Sequence, residues 1–223
     1  MPLLPLILST HASSYCLGSE THKSLDSGSS GSCQFCGLEA ENWRERFHLN
    51  GDHGDERPTN IAVACVLCHL AQHLERLTIE EEALLIWLPE MTQGALNACM
   101  RGVHQTLAAH GEAPHLSRGP KSDHRSVLAA ASAYGAFRAR AAAAVERLGS
   151  TSPAVLGEAL LRLSAEDYGR RDKLLAGVRL LPLGRFYRNG EDIYPDLIKQ
   201  LNEARQTEPG ETAGDGVKHG KRR

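Results

Sequence analysis

Cys33-Gln34-Phe35-Cys36 and, beyond residues 37–64, Cys65-Val66-Leu67-Cys68 decide how the N-terminal third of this 223-residue chain folds. Two thiolates separated by two residues on a tight turn can reach one ion. Two such turns complete a tetrahedron of soft donors, which suits zinc and not magnesium or calcium. The spacing therefore predicts one structural Zn2+ held by Cys33, Cys36, Cys65 and Cys68. Buried free cysteines are the bland alternative. Redox chemistry at a Cys-x-x-Cys pair would need a helix start within a thioredoxin-type sheet, and no such pattern surrounds either pair. Of the 6 cysteines, Cys99 falls near a helical stripe and reads as packing, and Cys16 has no assignment. The paired spacing argues for metal and against a secreted disulfide framework, hence for a reducing, cytoplasmic setting.

Between the pairs run Phe47-His48-Leu49-Asn50-Gly51-Asp52-His53 and Pro58-Thr59-Asn60-Ile61, and His69 follows Cys68. This order resembles the His-Asn-His (HNH) nuclease motif, a ββα-metal fold often braced by four cysteines. The resemblance implies His48 as general base, Asn60 as the residue orienting base or loop, and His69 as the later ion ligand. It departs from the motif at Phe47, which stands where the family places a metal-binding His or Asp. A phenyl ring cannot ligate a hard cation. Asp52 or His53 from the turn, and His73 one helical turn after His69, are the substitutes within reach. The bland reading is that His48 and Asn60 only hydrogen-bond the hairpin and its loop, and Phe47 favours it.

Outward from this module, Ala83 to Leu88 is a short apolar run closed by Pro89, a buried strand. Thr92 caps a helix to about His110, with Leu96, Met100, Val103 and Leu107 on one stripe. Asp123 or Ser122 caps a long Ala-rich helix from about His124 to Leu148, along which Arg138, Arg140 and Arg147 read as solvated. Ser152-Pro153 opens a helix to about Leu163 and Ser164 another, with acids in its first turn. Val178 to Gly184 reads as an apolar turn docked on the helices, and a last helix spans about Tyr194 to Arg205. The expected organisation is α+β: a flexible segment 1–32, with a short strand within Leu3 to Ser9 and a Ser/Gly-rich run from Ser24 to Ser32; an HNH-like zinc module with its following strand and helix, 33–110; a linker, 111–123; a helical region, 124–205; and a disordered tail, 206–223.

The stretch Leu85-Ile86-Trp87-Leu88-Pro89-Glu90-Met91-Thr92-Gln93 with Leu96-Asn97, together with Cys33-Gln34-Phe35-Cys36-Gly37 and Asn50-Gly51-Asp52, carries a second resemblance. It is similar to the DotN/IcmJ family of the type IVB (Dot/Icm-like) secretion coupling complex. Arg179 to Gly184 is a weaker echo. The resemblance implies a zinc-binding adaptor without catalysis that docks on the C-terminal region of the coupling ATPase and meets other secretion-complex subunits. It implies a cytoplasmic place, at the inner membrane only through a partner. A docking surface is expected at the 83–88 strand and the helix after Thr92, with Trp87 as the hot-spot candidate, although ordinary core burial is the favoured reading of it; Trp43 has the same two readings.

Composition narrows the classes. With 25 basic against 27 acidic residues and a pI near 6.6, the chain is not a general nucleic-acid coat, and nucleic acid as a partner is disfavoured. Glu80-Glu81-Glu82 directly after the module would repel phosphate, and the basic end, Lys218 to Arg223, reads as a solubilising terminus. A zinc finger for DNA lacks a basic recognition helix. No Gly-x-x-x-x-Gly-Lys-Ser/Thr run appears, so energy must come from a partner. No apolar run reaches the roughly 18–20 residues of a membrane span. Two readings contend: the secretion adaptor, and a metal-dependent HNH endonuclease using His48, Asn60 and His69.

Overall fold

The computed structural model describes residues 2–11, 31–116 and 118–207. Positions 24–30 of the Ser/Gly-rich run, Cys16 and the tail beyond 207 lie outside the described residues. The first strands are β1 (Arg44–His48) and β2 (Ile61–Cys65), an antiparallel pair with Arg44 opposite Cys65 and His48 opposite Ile61. The short helix α1 (Val66–Leu70) follows β2 directly. This gives the ββα unit expected from the sequence.

Next come α2 (Ile79–Glu82) and β3 (Ala83–Trp87), then α3 (Gln93–Ala109), capped as anticipated by the Thr92 hydroxyl accepting from Ala95 N. The helices α4 (Arg125–Ala139), α5 (Ala141–Leu148), α6 (Pro153–Leu161), α7 (Ala165–Gly169) and α8 (Arg171–Leu174) lead to β4 (Val178–Pro182), the small ribbon β5 (Tyr187–Arg188) and β6 (Glu191–Asp192), and α9 (Tyr194–Thr207). Ser152 and Ser164 cap α6 and α7 as read. The chain is α+β.

Several elements differ from the sequence reading. The 178–184 segment is not a turn: β4 pairs antiparallel with β3, Ala83 opposite Pro182 and Trp87 opposite Val178. The other edge of β3 is also occupied, since Leu85 N donates to Thr151 O and Trp87 N to Arg140 O. A partner strand therefore has no edge of β3 to join. The long helix is two helices, broken at Arg140, whose carbonyl serves Trp87 N and whose side chain pairs with Glu90. His124, and neither Asp123 nor Ser122, is the cap of α4. Cys99 is exposed, off the packed stripe of α3.

Residues 2–11 were expected to be flexible and to hold a short strand. They run extended without a strand partner, pinned by Leu4 N to Gln34 O, Ser9 N to Ala71 O and the Tyr168 hydroxyl to Thr10 O. Leu8, Ser9 and Thr10 are buried.

Two apolar clusters share β3. Leu85 joins the ββα unit and α9, and Ile86 joins α3, α4 and Leu181. Burial on both faces is why the strand reads as an unbroken apolar run instead of an alternating one. Trp43 is core: its indole Nε1 donates to Leu197 O at 3.2 Å and its ring meets Tyr194 at 5.6 Å. Trp87 is half-buried under the Arg147 guanidinium, 4.3 Å from the ring centroid.

A buried ionic knot locks α2 to the β4–β5 connection. Glu82, fully buried, receives Arg76 through Nε at 2.9 Å and Nη2 at 2.8 Å, and also Tyr187 N at 2.7 Å. Removing one partner strands a buried charge, so Glu82→Ala is expected to lower unfolding free energy by about 3–5 kcal/mol in urea titration.

A second test concerns His104, fully buried on α3 with Nδ1 2.8 Å from the Tyr194 hydroxyl. Burial lowers its pKa from 6.5 to about 3. The unfolded chain thus takes up a proton between these values that the folded chain refuses. This contribution is complete above pH ~6.5 and is lost as pH falls toward 3, at up to about 1.4 kcal/mol per pH unit. His104→Gln is expected to flatten that slope in stability measured from pH 4 to 7.

Candidate metal centre

The knuckle carrying the first cysteine pair is closed by Gly37 N donating back to Cys33 O, and is tied to β2 by Gln34 N donating to Val63 O, both at 2.8 Å. Cys65 ends β2 and caps α1, and Cys68 lies one turn into that helix. The strand-to-helix corner thus turns the second pair toward the knuckle. The four Sγ atoms all lie within 4.8 Å of one another. Cys36 Sγ and Cys65 Sγ are 3.6 Å apart, far beyond a disulfide bond of about 2.05 Å. The edge of a tetrahedron with metal–sulfur bonds of about 2.3 Å is about 3.8 Å. The donor set therefore fits a four-coordinate metal ion.

Cys33, Cys65 and Cys68 are buried and Cys36 half-buried. Hydrogen bonding from Cys33 drives the Cys36 thiol to lower pKa, while bonding to Cys33 and Cys36 pushes Cys65 and Cys68 up. A central cation would replace these shared protons.

Helix α3 supplies the surroundings, which the cysteine spacing did not reveal. Asn97 donates through Nδ2 to Leu67 O at 3.1 Å and Cys68 Sγ at 3.3 Å, and Arg101 Nη1 reaches Cys36 Sγ at 3.4 Å. Gln93 fixes Asn97 at 2.9 Å and bonds Leu180 O at 2.7 Å and Leu180 N at 2.8 Å, linking the sulfur cluster to β4. Gly94 lets the helix rest on the knuckle: a Cβ there would sit 2.1 Å from Phe35 O. In the sequence, these residues show only as polar positions one turn apart at the start of an otherwise apolar helix.

The residues of the hydrolytic motif lie on β1, immediately before β2 and on α1. Phe47 is buried between Phe35, 4.5 Å away, and His69, 5.9 Å away, ring to ring. His48, also buried, has no hydrogen-bond partner at either ring nitrogen. Burial lowers its pKa. Asn60 braces the loop, accepting from Asn50 N and donating to Asp55 O, both at 2.9 Å. His69 Nδ1 meets Glu45 Oε2 at 2.7 Å. Asp52 is exposed, its carboxylate accepts from Gly54 N, and it does not join the gathered imidazoles. His53 and His73 do come together with His69.

The acidic run is tied into the structure at all three residues, with Glu80 and Glu81 exposed and Glu82 buried. Glu80 accepts from Ser152 and Ala154 N at the start of α6, Glu81 accepts from the Tyr187 hydroxyl, and Glu82 is the buried partner of Arg76.

Cys65→Ser is expected to lower bound metal measured by mass spectrometry and to destabilise the ββα unit, because a structural ion adds folding free energy directly. Unchanged metal content would remove Cys65 from the ligand set. Asn97→Ala is expected to keep the metal but lower the melting temperature.

No family model matches the chain. It is similar to the type 4 apparatus protein DotN of Legionella pneumophila (strain Philadelphia 1), with 28% identity over 154 residues, 67% of this chain and 66% of DotN. The match thus spans just under two thirds of that protein. The sequence motifs, the ββα unit and the four gathered cysteines agree with this similarity and with the resemblance to the DotN/IcmJ family read from the sequence.

Proposed function

We propose that the chain is a zinc-binding, non-catalytic adaptor of a type IVB secretion coupling complex, docking on the C-terminal region of the coupling ATPase. The observation that carries this reading is the similarity to DotN, a type 4 apparatus protein. Zinc is the ion that four thiolates at tetrahedral spacing select, and a four-sulfur site has no open position for water or substrate. Its role is then to hold the knuckle against the hairpin.

The hydrolytic motif supports the same reading. A general base needs a partner that orients it. His48 has none among the described residues, and Phe47 fills the neighbouring ligand position with carbon. Among the described residues, no helix is long and apolar enough to cross a membrane.

The occupied edges of β3 redirect the docking surface. Beside it lies an apolar cleft of about 470 Å³, lined by Leu6, Leu8, Trp87, Pro89, Leu175 and Val178 among others. A partner segment seated there would cover the exposed part of the indole, and aromatic anchors of this kind carry a disproportionate share of interface energy.

The purified chain is expected to co-elute with the purified C-terminal segment of the coupling ATPase. Trp87→Ala should weaken that complex by about tenfold or more, with circular dichroism confirming the fold. Supercoiled plasmid incubated with magnesium, manganese or nickel is expected to stay intact. Nicking that disappears in His48→Ala would overturn the adaptor reading in favour of the nuclease.

A further inference from the structure

One residue past Cys68 the chain assembles a different donor set. His69 Nδ1 lies 2.7 Å from Glu45 Oε2, and His73 Nδ1 lies 2.7 Å from Glu75 Oε1. An ionised carboxylate only accepts hydrogen bonds, so each Nδ1 carries the ring proton and each Nε2 presents a lone pair. Those two Nε2 atoms are 3.1 Å apart. Two acceptors at that distance repel one another unless a shared proton or a metal cation lies between them.

His53, from the loop joining β1 to β2, brings a third imidazole. One ring nitrogen from each of His53, His69 and His73 lies within 4.8 Å of the others. A tetrahedral site with metal–nitrogen bonds of about 2.0–2.1 Å has edges of about 3.3 Å, so small side-chain adjustments close the set.

A fourth imidazole stands beside these three. His11 is the last described residue of the extended N-terminal segment, and its ring centroid is 5.2 Å from those of both His53 and His73. Its Nε2 is buried and has no hydrogen-bond partner. The ring is tightly seated against the loop: a Cβ on Gly51, whose φ is +79°, would lie 2.5 Å from His11 Cε1.

The outer carboxylates are themselves anchored. Glu45 Oε1 receives Arg188 at 2.6 Å, and Glu75 Oε2 receives both Thr10 Oγ1 at 3.1 Å and the His11 backbone N at 3.2 Å. Carboxylates that fix the tautomer and direction of histidine ligands characterise the outer layer of protein metal sites.

We propose that His53, His69 and His73, with His11 as fourth ligand, form a second metal site for a divalent first-row transition ion. All-imidazole donors suit zinc, copper, nickel or cobalt, and zinc is the probe of choice here because it also serves the sulfur site. With four protein ligands the site is closed, and its work is mechanical. It staples the 2–11 segment and the β1–β2 loop to the helix that carries Cys68. This inference does not depend on the secretion reading.

The test uses the full chain loaded with Zn2+ and desalted. Two ions per chain are expected by metal mass spectrometry, and zinc X-ray absorption should show a mixed shell of sulfur and nitrogen. The variant His53→Ala/His73→Ala is expected to keep one ion with a sulfur-only shell, which also reports that the ββα unit is intact. Glu75→Gln should bind the second ion about 10–100-fold more weakly. One ion per chain with a sulfur-only shell in the unmodified protein would overturn the proposal, and that measurement requires no variant to fold. Unchanged affinity for the second ion in His11→Ala would overturn the closed, four-ligand form of the site.

Discussion

Four sulfur atoms drawn within 4.8 Å of one another bring together two short pieces of chain. The knuckle around Cys33 and Cys36 is a single turn, and α1 is five residues long. Neither would persist alone, because a helix of that length is far below the roughly 12–15 residues that are marginal even in good helix formers. An ion cross-linking them through one centre would create a firm floor, and α3 lies directly over it with Gly94 against the knuckle backbone. The fit extends through Gln93 and Asn97 to β4, so the C-terminal half registers against the sulfur cluster through hydrogen bonds.

The parts of this arrangement legible in the sequence are those governed by chemistry a few residues apart. Cysteine spacing, the Thr92, Ser152 and Ser164 caps, and the apolar stripe of α3 each declare themselves locally. Non-local pairing does not. Val178 to Pro182 is a strand because it pairs with β3, and nothing in Val-Arg-Leu-Leu-Pro alone distinguishes that from a docked turn. The break at Arg140 has the same origin, a carbonyl drawn to β3 from an otherwise uniform alanine-rich run.

The candidate site divides in the same way. Its ligands were visible because soft donors at fixed spacing have few other uses, whereas Asn97 and Arg101 were not, since polar groups on a helix give no sign of the sulfur they face. The histidines were only partly visible. His69 and His73 are four residues apart, but His11 joins them only because a segment that looked like a loose leader is threaded beside them. Phe47 shows the converse: one aromatic residue in a polar motif announced a packing position, filled against Phe35.

The pairing of β3 with β4 also bears on synthesis of the chain. A ribosome releases the cysteine-bearing third and β3 well before residues 178–182 exist, so the nascent chain carries an apolar strand whose future neighbour has yet to be made. Long-range strand pairing is slow to form, and an unpaired apolar edge invites association between molecules. A fragment ending near residue 110, although it would contain every sulfur ligand, would leave that edge permanently open and should be prone to self-association.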